Sequence, residues 1–230
     1  MKTIGLVGGT TWHSSLEYYK LINGMVHERL GGSDAAKMIL YSLNFGDIAR
    51  LTTADKWDEI GQIVLDAAKK LEAAGADCIL LGANTMHRFA HVLRQELRIP
   101  LIHIAEEVAA AIREKGLQTV TLLGTRFTMQ LDFYREILSG HGISTLIPDE
   151  DGVNFLNTAI YEEMGKGLFL PATRDRLLDM IAALERKGAQ GAILGCTEIP
   201  LLISQKDCSI PVFDTTFIHA RAAVDFALGR

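Results

Sequence analysis

The chain is expected to fold as α/β, with two pseudosymmetric parallel-sheet α/β halves and its site in the cleft between them. Three observations lead there. Strand-like apolar runs alternate with amphipathic helical runs along the 230 residues, the pattern of parallel strands joined by helical crossovers. Two stretches are near-copies of each other: GADCILLGANT from Gly75 to Thr85 and GAQGAILGCTE from Gly188 to Glu198. Other landmarks repeat at a similar spacing. LVGGT (Leu6 to Thr10) is echoed by LLGT (Leu122 to Thr125), with Thr10 and Thr125 115 positions apart, and EYYKLI is echoed by DFYREI. Arg50 and Lys166 are 116 positions apart, and the Ile-Pro pairs at 99–100 and 210–211 are 111 apart. A period near half the chain is far longer than a solenoid unit and reads as a duplicated half. Two such halves facing each other would bring equivalent strand ends together across a cleft, the usual place for a small ligand.

Taken in order, the first half is expected to hold strands near 3–8, 38–44, 77–82 and 100–104, with helices near 14–30, 55–74, 86–97 and 105–115. The second half is expected to hold strands near 119–124, 143–147, 191–195 and 210–213, with helices near 128–139, 151–166, 171–187 and 214–228. Helix 55–74 would start at Asp55 and stop before Gly75; helix 171–187 would carry Pro171 in its first turn and stop before Gly188, following the usual start and stop chemistry. The domain reading is residues 1–110, residues 111–212, and a C-terminal helix over 213–230 that packs back on the first half.

Composition excludes several classes. A 48% hydrophobic and 22% charged chain is ordinary for a globular protein, and a net charge of −5 gives no basic footprint for nucleic acid. No apolar run approaches the length of a membrane span. The opening MKTIGLVGGTTW reads as a strand entering a Gly-rich turn, not as a secretion signal, so the expected compartment is the cytoplasm. Cys78, Cys196 and Cys208 are odd in number and lack C-x-x-C spacing, which suggests neither a disulfide framework nor a zinc site. Cys78, inside DCILL, is expected to be a buried packing thiol.

Ligands in open parallel sheets collect at the carboxyl ends of strands. Here those ends carry Gly8-Gly9-Thr10-Thr11, Gly82-Ala83-Asn84-Thr85, Gly124-Thr125 and Gly195-Cys196-Thr197-Glu198. Hydroxyls, an amide and backbone N–H groups suit an anionic carboxylate ligand, and Arg50 and Lys166 are candidate cationic clamps. Cys196 is the best reactive group: a thiol at a helix start is expected to have a lowered pKa. The alternative is a small buried residue at a tight turn, with Glu198 as a helix-start residue. His87 and His91 have i,i+4 spacing, but the H-E-x-x-H glutamate and a third ligand are missing. They read as a solvated helix face, and no metal site is expected. His103, near a strand end, reads as a hydrogen-bonded core histidine.

These segments resemble the aspartate/glutamate racemase family, over nearly the whole chain. GLVGGTTWHSSLEYY resembles the family's opening G-x-x-G-G-x-x-W-x-S-T-x-x-Y-Y, and LGANTMH its first thiol motif, usually C-N-T-x-H. LLGTRFTM, LGCTEIPLL and IPVFDTT resemble the later signatures. The resemblance implies cofactor-independent proton transfer at the α-carbon of an acidic amino acid, by two thiols acting on opposite faces, in a homodimer. By position, Cys196 matches the second catalytic cysteine. Asn84, Thr85 and Thr197 match carboxylate-binding positions, Thr10 lies on the opening loop, and Arg50 and Lys166 match the substrate-grasping positions more loosely. Ala83 stands where the first thiol is expected, and the similar L-aspartate/glutamate-specific branch has Thr there. Three readings stay open. A water or a neighbour such as Thr85 replaces the acid. Or the protein runs one-thiol chemistry on another carboxylate, as relatives resembling arylmalonate decarboxylase do. Or Ala83 reflects an inactive paralogue, which binds amino acids without turnover, or an engineered substitution.

Overall fold

The computed structural model describes residues 1–229 and contains two compact units: Met1–His103 with His219 onward, and Ile104–Ile218. The first unit runs β1 (Ile4–Gly8), α1 (Trp12–Leu30), β2 (Met38–Ser42), α2 (Phe45–Thr53), α3 (Trp57–Ala73), β3 (Cys78–Leu81), a 3-10 segment (Asn84–Phe89) and α4 (Ala90–Glu96). Its parallel sheet has the order β2-β1-β3, with Ile4 opposite Met38 on one side and Cys78 on the other. The second unit runs α5 (Ile104–Glu114), β4 (Thr119–Gly124), α6 (Arg126–Gln130), α7 (Asp132–Gly140), β5 (Ser144–Leu146), α8 (Glu150–Glu162), a 3-10 turn (Met164–Lys166), α9 (Pro171–Arg186), β6 (Ala192–Gly195), two further 3-10 turns and β7 (Val212–Asp214). Its parallel order is β5-β4-β6-β7. The unit division falls within α10 (Thr215–Leu228). Helix α5, which a division at residue 110 would cut, belongs whole to the second unit.

Strand alternation sets the layers. In the first sheet Ile4, Leu6, Cys78 and Leu80 pack with Tyr18, Ile22 and Val26 of α1 and with Ala220, Ala223 and Ala227 of α10. Val7, Ile79 and Leu81 turn to the other face, against Ile60, Val64 and Leu71 of α3 and Leu93 of α4. The second sheet repeats the plan. Val120, Leu122 and Ile193 meet α5 and α7, while Leu123, Ala192 and Leu194 meet α8 and α9. The duplication survives as topology: β1 and β4 are central, and the strand expected at 100–104 persists as one parallel bridge, Ile79 to Leu101, in the place β7 fills in the second unit. Gly8 and Gly124 end the central strands and Tyr18 and Tyr134 are both fully buried, each pair 116 positions apart.

Several elements differ from expectation. Helix α2 falls in a stretch where no element was expected; it buries one apolar residue, Ile48, and Asn44 caps it, accepting from the Gly46 N–H at 3.2 Å. Helix α3 starts at Trp57, not Asp55: Asp55 sits in the left-handed region at φ 55° and its carboxylate accepts from the Trp57 indole at 2.7 Å. The helix expected over 128–139 breaks at Leu131, whose extended backbone (φ −77°, ψ 149°) separates α6 from α7. The segment expected as helix 86–97 opens as the 3-10 stretch 84–89 before α4. Pro171 opens α9 as expected. No helix among the described residues is long and apolar enough to cross a membrane.

Candidate active site

In the first unit the ends of β1 and β3 are adjacent, and two serines of α1 fasten them. The Ser15 hydroxyl accepts from the Gly9 N–H at 2.7 Å, and the Ser14 hydroxyl donates to the Gly82 carbonyl. Gly9 is required by geometry: its φ is 77°, and a Cβ there would run into the Leu43 carbonyl. This brings together Thr10, Ala83, Asn84 and Thr85 at neighbouring strand ends. Thr10 and Asn84 are buried, while Ala83 and Thr85 are half-buried. Both serines lie within the WHSS stretch that marks the start of α1, but nothing in the sequence says that they hold strand ends.

Beneath this station lies a buried histidine cluster. His87 was expected on a solvated face, but it is 2% exposed. Its Nδ1 lies 3.0 Å from the Ala83 carbonyl. A carbonyl only accepts, so Nδ1 carries the proton, and Nε2 is a buried atom without a hydrogen-bond partner among the described residues. The His87 ring meets His103 at 4.7 Å and His219 at 5.3 Å, both edge-on. His219 lies 2.9 Å from the Ile102 carbonyl through Nε2 and 2.7 Å from the Tyr18 hydroxyl through Nδ1, so Nε2 donates and Nδ1 accepts. Burial holds both rings neutral. It pushes His87 well below the ordinary histidine range, helped by its two histidine neighbours, and pushes His219 down to about 4. The described residues hold no group of three or more His, Cys, Asp or Glu side chains arranged for a metal ion. His103 is buried, as expected of a core histidine.

In the second unit the ends of β4 and β6 are adjacent, Gly124 opposite Gly195. Both glycines are needed: a Cβ on Gly124 would lie 2.8 Å from the Gly195 carbonyl oxygen, and one on Gly195 would lie 2.9 Å from that of Leu123. Thr125 caps α6, its hydroxyl 3.2 Å from that of Thr128. The Cys196 thiol donates to Glu198 Oε2 at 2.9 Å, and the Thr197 hydroxyl donates to the same oxygen at 2.7 Å. Glu198 is 4% exposed, so one oxygen of a buried carboxylate gathers both donors.

This arrangement reverses the expected thiol electrostatics. No α-helix follows Cys196, only the 3-10 turn Ile199–Leu201, so no α-helix dipole favours a thiolate, and the backbone N–H groups of Thr197 and Glu198 are the lesser influences that pull the other way. Burial, then the Glu198 charge and its hydrogen bond, push the Cys196 pKa well above its ordinary value. The resting thiol therefore carries its proton. Tyr161, which sequence reading missed, feels the same surroundings: burial, then the charges of Cys196 and Glu198, raise its phenol to about 12. It comes from α8, far along the chain, and no local motif marks it.

Arg50 and Lys166 lie on exposed surfaces. Arg50 pairs with Asp47 on α2, and Lys166 Nζ lies 2.5 Å from Glu162 at the end of α8. Neither makes a hydrogen bond or ion pair with the strand-end residues in the contacts described.

Residues 7–223 match the family model described as Asp/Glu/Hydantoin racemase. The chain belongs to that family. It is similar to the broad specificity amino-acid racemase RacX of Bacillus subtilis, 30% identical over 169 residues that make up 73% of this chain and 72% of the relative. Among solved structures it resembles one from Yersinia pestis, provisionally assigned as an Asp/Glu racemase, with a TM-score of 0.93 and 44% identity over 99% of this chain and 100% of that one. It also resembles an aspartate racemase homologue from Pyrococcus horikoshii, with a TM-score of 0.88 and 36% identity over 99% and 100% of the two chains. The two parallel-sheet α/β halves are the racemase fold.

Proposed function

We propose that the protein acts without a cofactor on acidic amino acids, moving the α-proton through Cys196, with Glu198 as the partner that holds the thiol's proton when sulfur serves as base. The observation that carries this reading is the Cys196–Glu198 pair at the end of β6 in a chain of the racemase family. As a donor, the resting S–H gives its proton to the α-carbanion and leaves a thiolate. As an acceptor, the thiol first passes its proton to Glu198, and the thiolate then takes the α-proton. The pair titrates as a unit. Thr10, Asn84, Thr85, Thr125 and Thr197 supply hydroxyl, amide and backbone groups for the substrate carboxylates, and Arg50 and Lys166 supply positive charge once they exchange their present acidic partners for the ligand.

Ala83 limits the rate. A methyl group carries no proton, and losing one positioned acid or base costs about 10²–10⁴-fold, or about 3–5 kcal/mol of barrier. The Thr85 hydroxyl, two residues on from Ala83, is the candidate to serve the second face. A reducing compartment such as the cytoplasm suits the site, because oxidation of Cys196 would remove its proton carrier.

The test is α-proton exchange in deuterated water, run separately on each enantiomer of aspartate and glutamate. Exchange is expected in the native protein and absent in Cys196→Ala. A folded native protein that exchanges none of the four would overturn the reading. One observation favours a second reading: a thiol held protonated suits protonation of a carbanion made by losing carbon dioxide from a different dicarboxylate. In that case carbon dioxide release would depend on Cys196, without amino-acid exchange.

A further inference from the structure

Each of the two candidate cationic clamps is held by a carboxylate one turn back along the chain, and both halves keep that arrangement. Arg50 pairs with Asp47, three residues back, and Lys166 with Glu162, four residues back. Asp47 and Glu162 are 115 positions apart, the same spacing as Thr10 and Thr125. One pair is aspartate with arginine and the other glutamate with lysine, so what the halves share is the arrangement of charge.

In the first unit, contacts place the pair beside a strand end. The Leu43 N–H donates to the Gly8 carbonyl at 3.0 Å, which lays the start of α2 against the end of β1. Asn44 caps α2, and its amide donates to Asp47 Oδ2 at 3.0 Å. The Arg50 guanidinium donates to the other oxygen, Oδ1. It folds back over the first turn of α2, with Nη1 3.4 Å from where a Cβ of Gly46 would stand. Asp47 thus engages both oxygens, one on a guanidinium and one on an amide, donor types that would also receive a ligand's carboxylate. In the second unit, α8 ends at Glu162, the residue after Tyr161, whose phenol feels the charges of Cys196 and Glu198. Glu162 meets Lys166, on the 3-10 turn that follows, at 2.5 Å. All four side chains are more than half exposed, so solvent and a ligand can reach both pairs.

We propose that Asp47 and Glu162 are holding carboxylates: each occupies its cation in the free protein and yields it to a carboxylate of an acidic ligand. This rests on the clamp role given above to Arg50 and Lys166, and adds two residues that oppose binding. Taking up the ligand exchanges one ion pair for another of the same kind, so only the difference between the two favours the complex. An uncharged side chain offers the cation no replacement and leaves the acid in place. The device weakens the grip on acidic substrate and product while keeping the preference for an acid.

The test is calorimetric titration of the full chain with L-aspartate and L-glutamate, set beside the KM of α-proton exchange. Asp47→Asn keeps an oxygen to accept from the Asn44 amide but removes the charge, and Glu162→Gln removes the charge beside Lys166. Each should lower Kd and KM together by about two- to fivefold, the worth of an exposed ion pair, and the gain should shrink in about 0.5 M salt. Arg50→Gln should raise Kd, and adding Asp47→Asn to it should then bring no gain, because no cation is left to free. Folded Asp47→Asn or Glu162→Gln proteins whose Kd is unchanged or higher would overturn the proposal. So would an equal gain in the Arg50→Gln background, which would be a plain effect of net charge. A native Kd in Arg50→Gln would remove the clamp role of Arg50 and this inference with it, whereas the proton-transfer reading is decided separately by Cys196→Ala.

Discussion

Replacing His219 by asparagine should flatten the acid limb of the protein's stability. His219 is fully buried in the first unit and titrates at about 4, against an ordinary 6.5. Above pH 6.5 the ring is neutral in both folded and unfolded chains and has no pH effect. Between 6.5 and 4 the unfolded chain takes up a proton that the folded chain refuses, so stability falls as pH falls. Below 4 both states are protonated and the slope from this group ends. At about 1.4 kcal/mol per pKa unit, the native protein loses about 3 kcal/mol across that window through this residue alone. The asparagine of the His219→Asn variant does not titrate. Its side chain keeps an acceptor for Tyr18 but loses the donor to the Ile102 carbonyl, which costs about 1–3 kcal/mol at neutral pH. The expected result is a variant weaker at pH 7 whose disadvantage shrinks, and then reverses or vanishes, by pH 4.5. Urea unfolding followed by tryptophan fluorescence reads the correct unit, because Trp12 and Trp57 are the chain's two tryptophans and both lie in it. His87 is depressed in the same direction, chiefly by burial, and adds to the slope in both proteins; removing His219 takes away one lesser cause of that depression, which flattens the variant's acid limb in the same sense. Parallel curves from pH 7.5 to 4.5 would refute the reasoning.

Three further outcomes are expected. Glu198→Gln removes the charge beside the thiol, so the pH midpoint for alkylation of Cys196 by iodoacetamide should move down, read by mass spectrometry in a Cys208→Ser background; a midpoint that rises would contradict the electrostatic account. Ala83→Cys should raise racemisation of aspartate or glutamate by about 10²–10⁴-fold, and an unchanged rate in a folded variant would show that position 83 does not serve the reaction. Gly9→Ala should cost about 1–3 kcal/mol in urea unfolding, because alanine is strained at a φ of 77° and its Cβ meets the Leu43 carbonyl; a neutral result would mean that the loop relaxes freely.

Where local pattern decides conformation, the sequence was readable. The strands at Ile4–Gly8, Cys78–Leu81, Thr119–Gly124 and Ala192–Gly195 are short, bounded by turns and buried on both faces, so composition alone marks them. The duplication was readable because both halves keep the glycines where strand ends pass close to neighbouring backbone. Helix α2 was not: with Ile48 as its one buried residue, it has too little apolar periodicity to announce itself. His87 was misread because its burial depends on His103 and His219, and His219 is 132 positions away in sequence. The residue types of the site were legible, but their protonation was not. The strand-to-turn setting of Cys196 suggested a helix start and an easy thiolate, whereas the acid two residues on folds back to the sulfur.

That reversal bears on what the duplicated frame can do. In each half a glycine, Gly82 just past β3 or Gly195 closing β6, precedes residue 83 or residue 196, and each half sets a buried ionisable side chain next to that position. In the first half this is a neutral imidazole whose proton is committed to the Ala83 carbonyl; in the second it is a carboxylate holding the proton of Cys196. The first arrangement fixes a backbone and moves no proton at residue 83, while the second stores one. A chain with this asymmetry should exchange the α-proton of one enantiomer faster than that of the other, because only one station offers sulfur and a proton reservoir together. Equal exchange rates from both enantiomers in the native protein would mean that a second carrier works as well as the Cys196–Glu198 pair, and the Thr85 hydroxyl would be the first to replace.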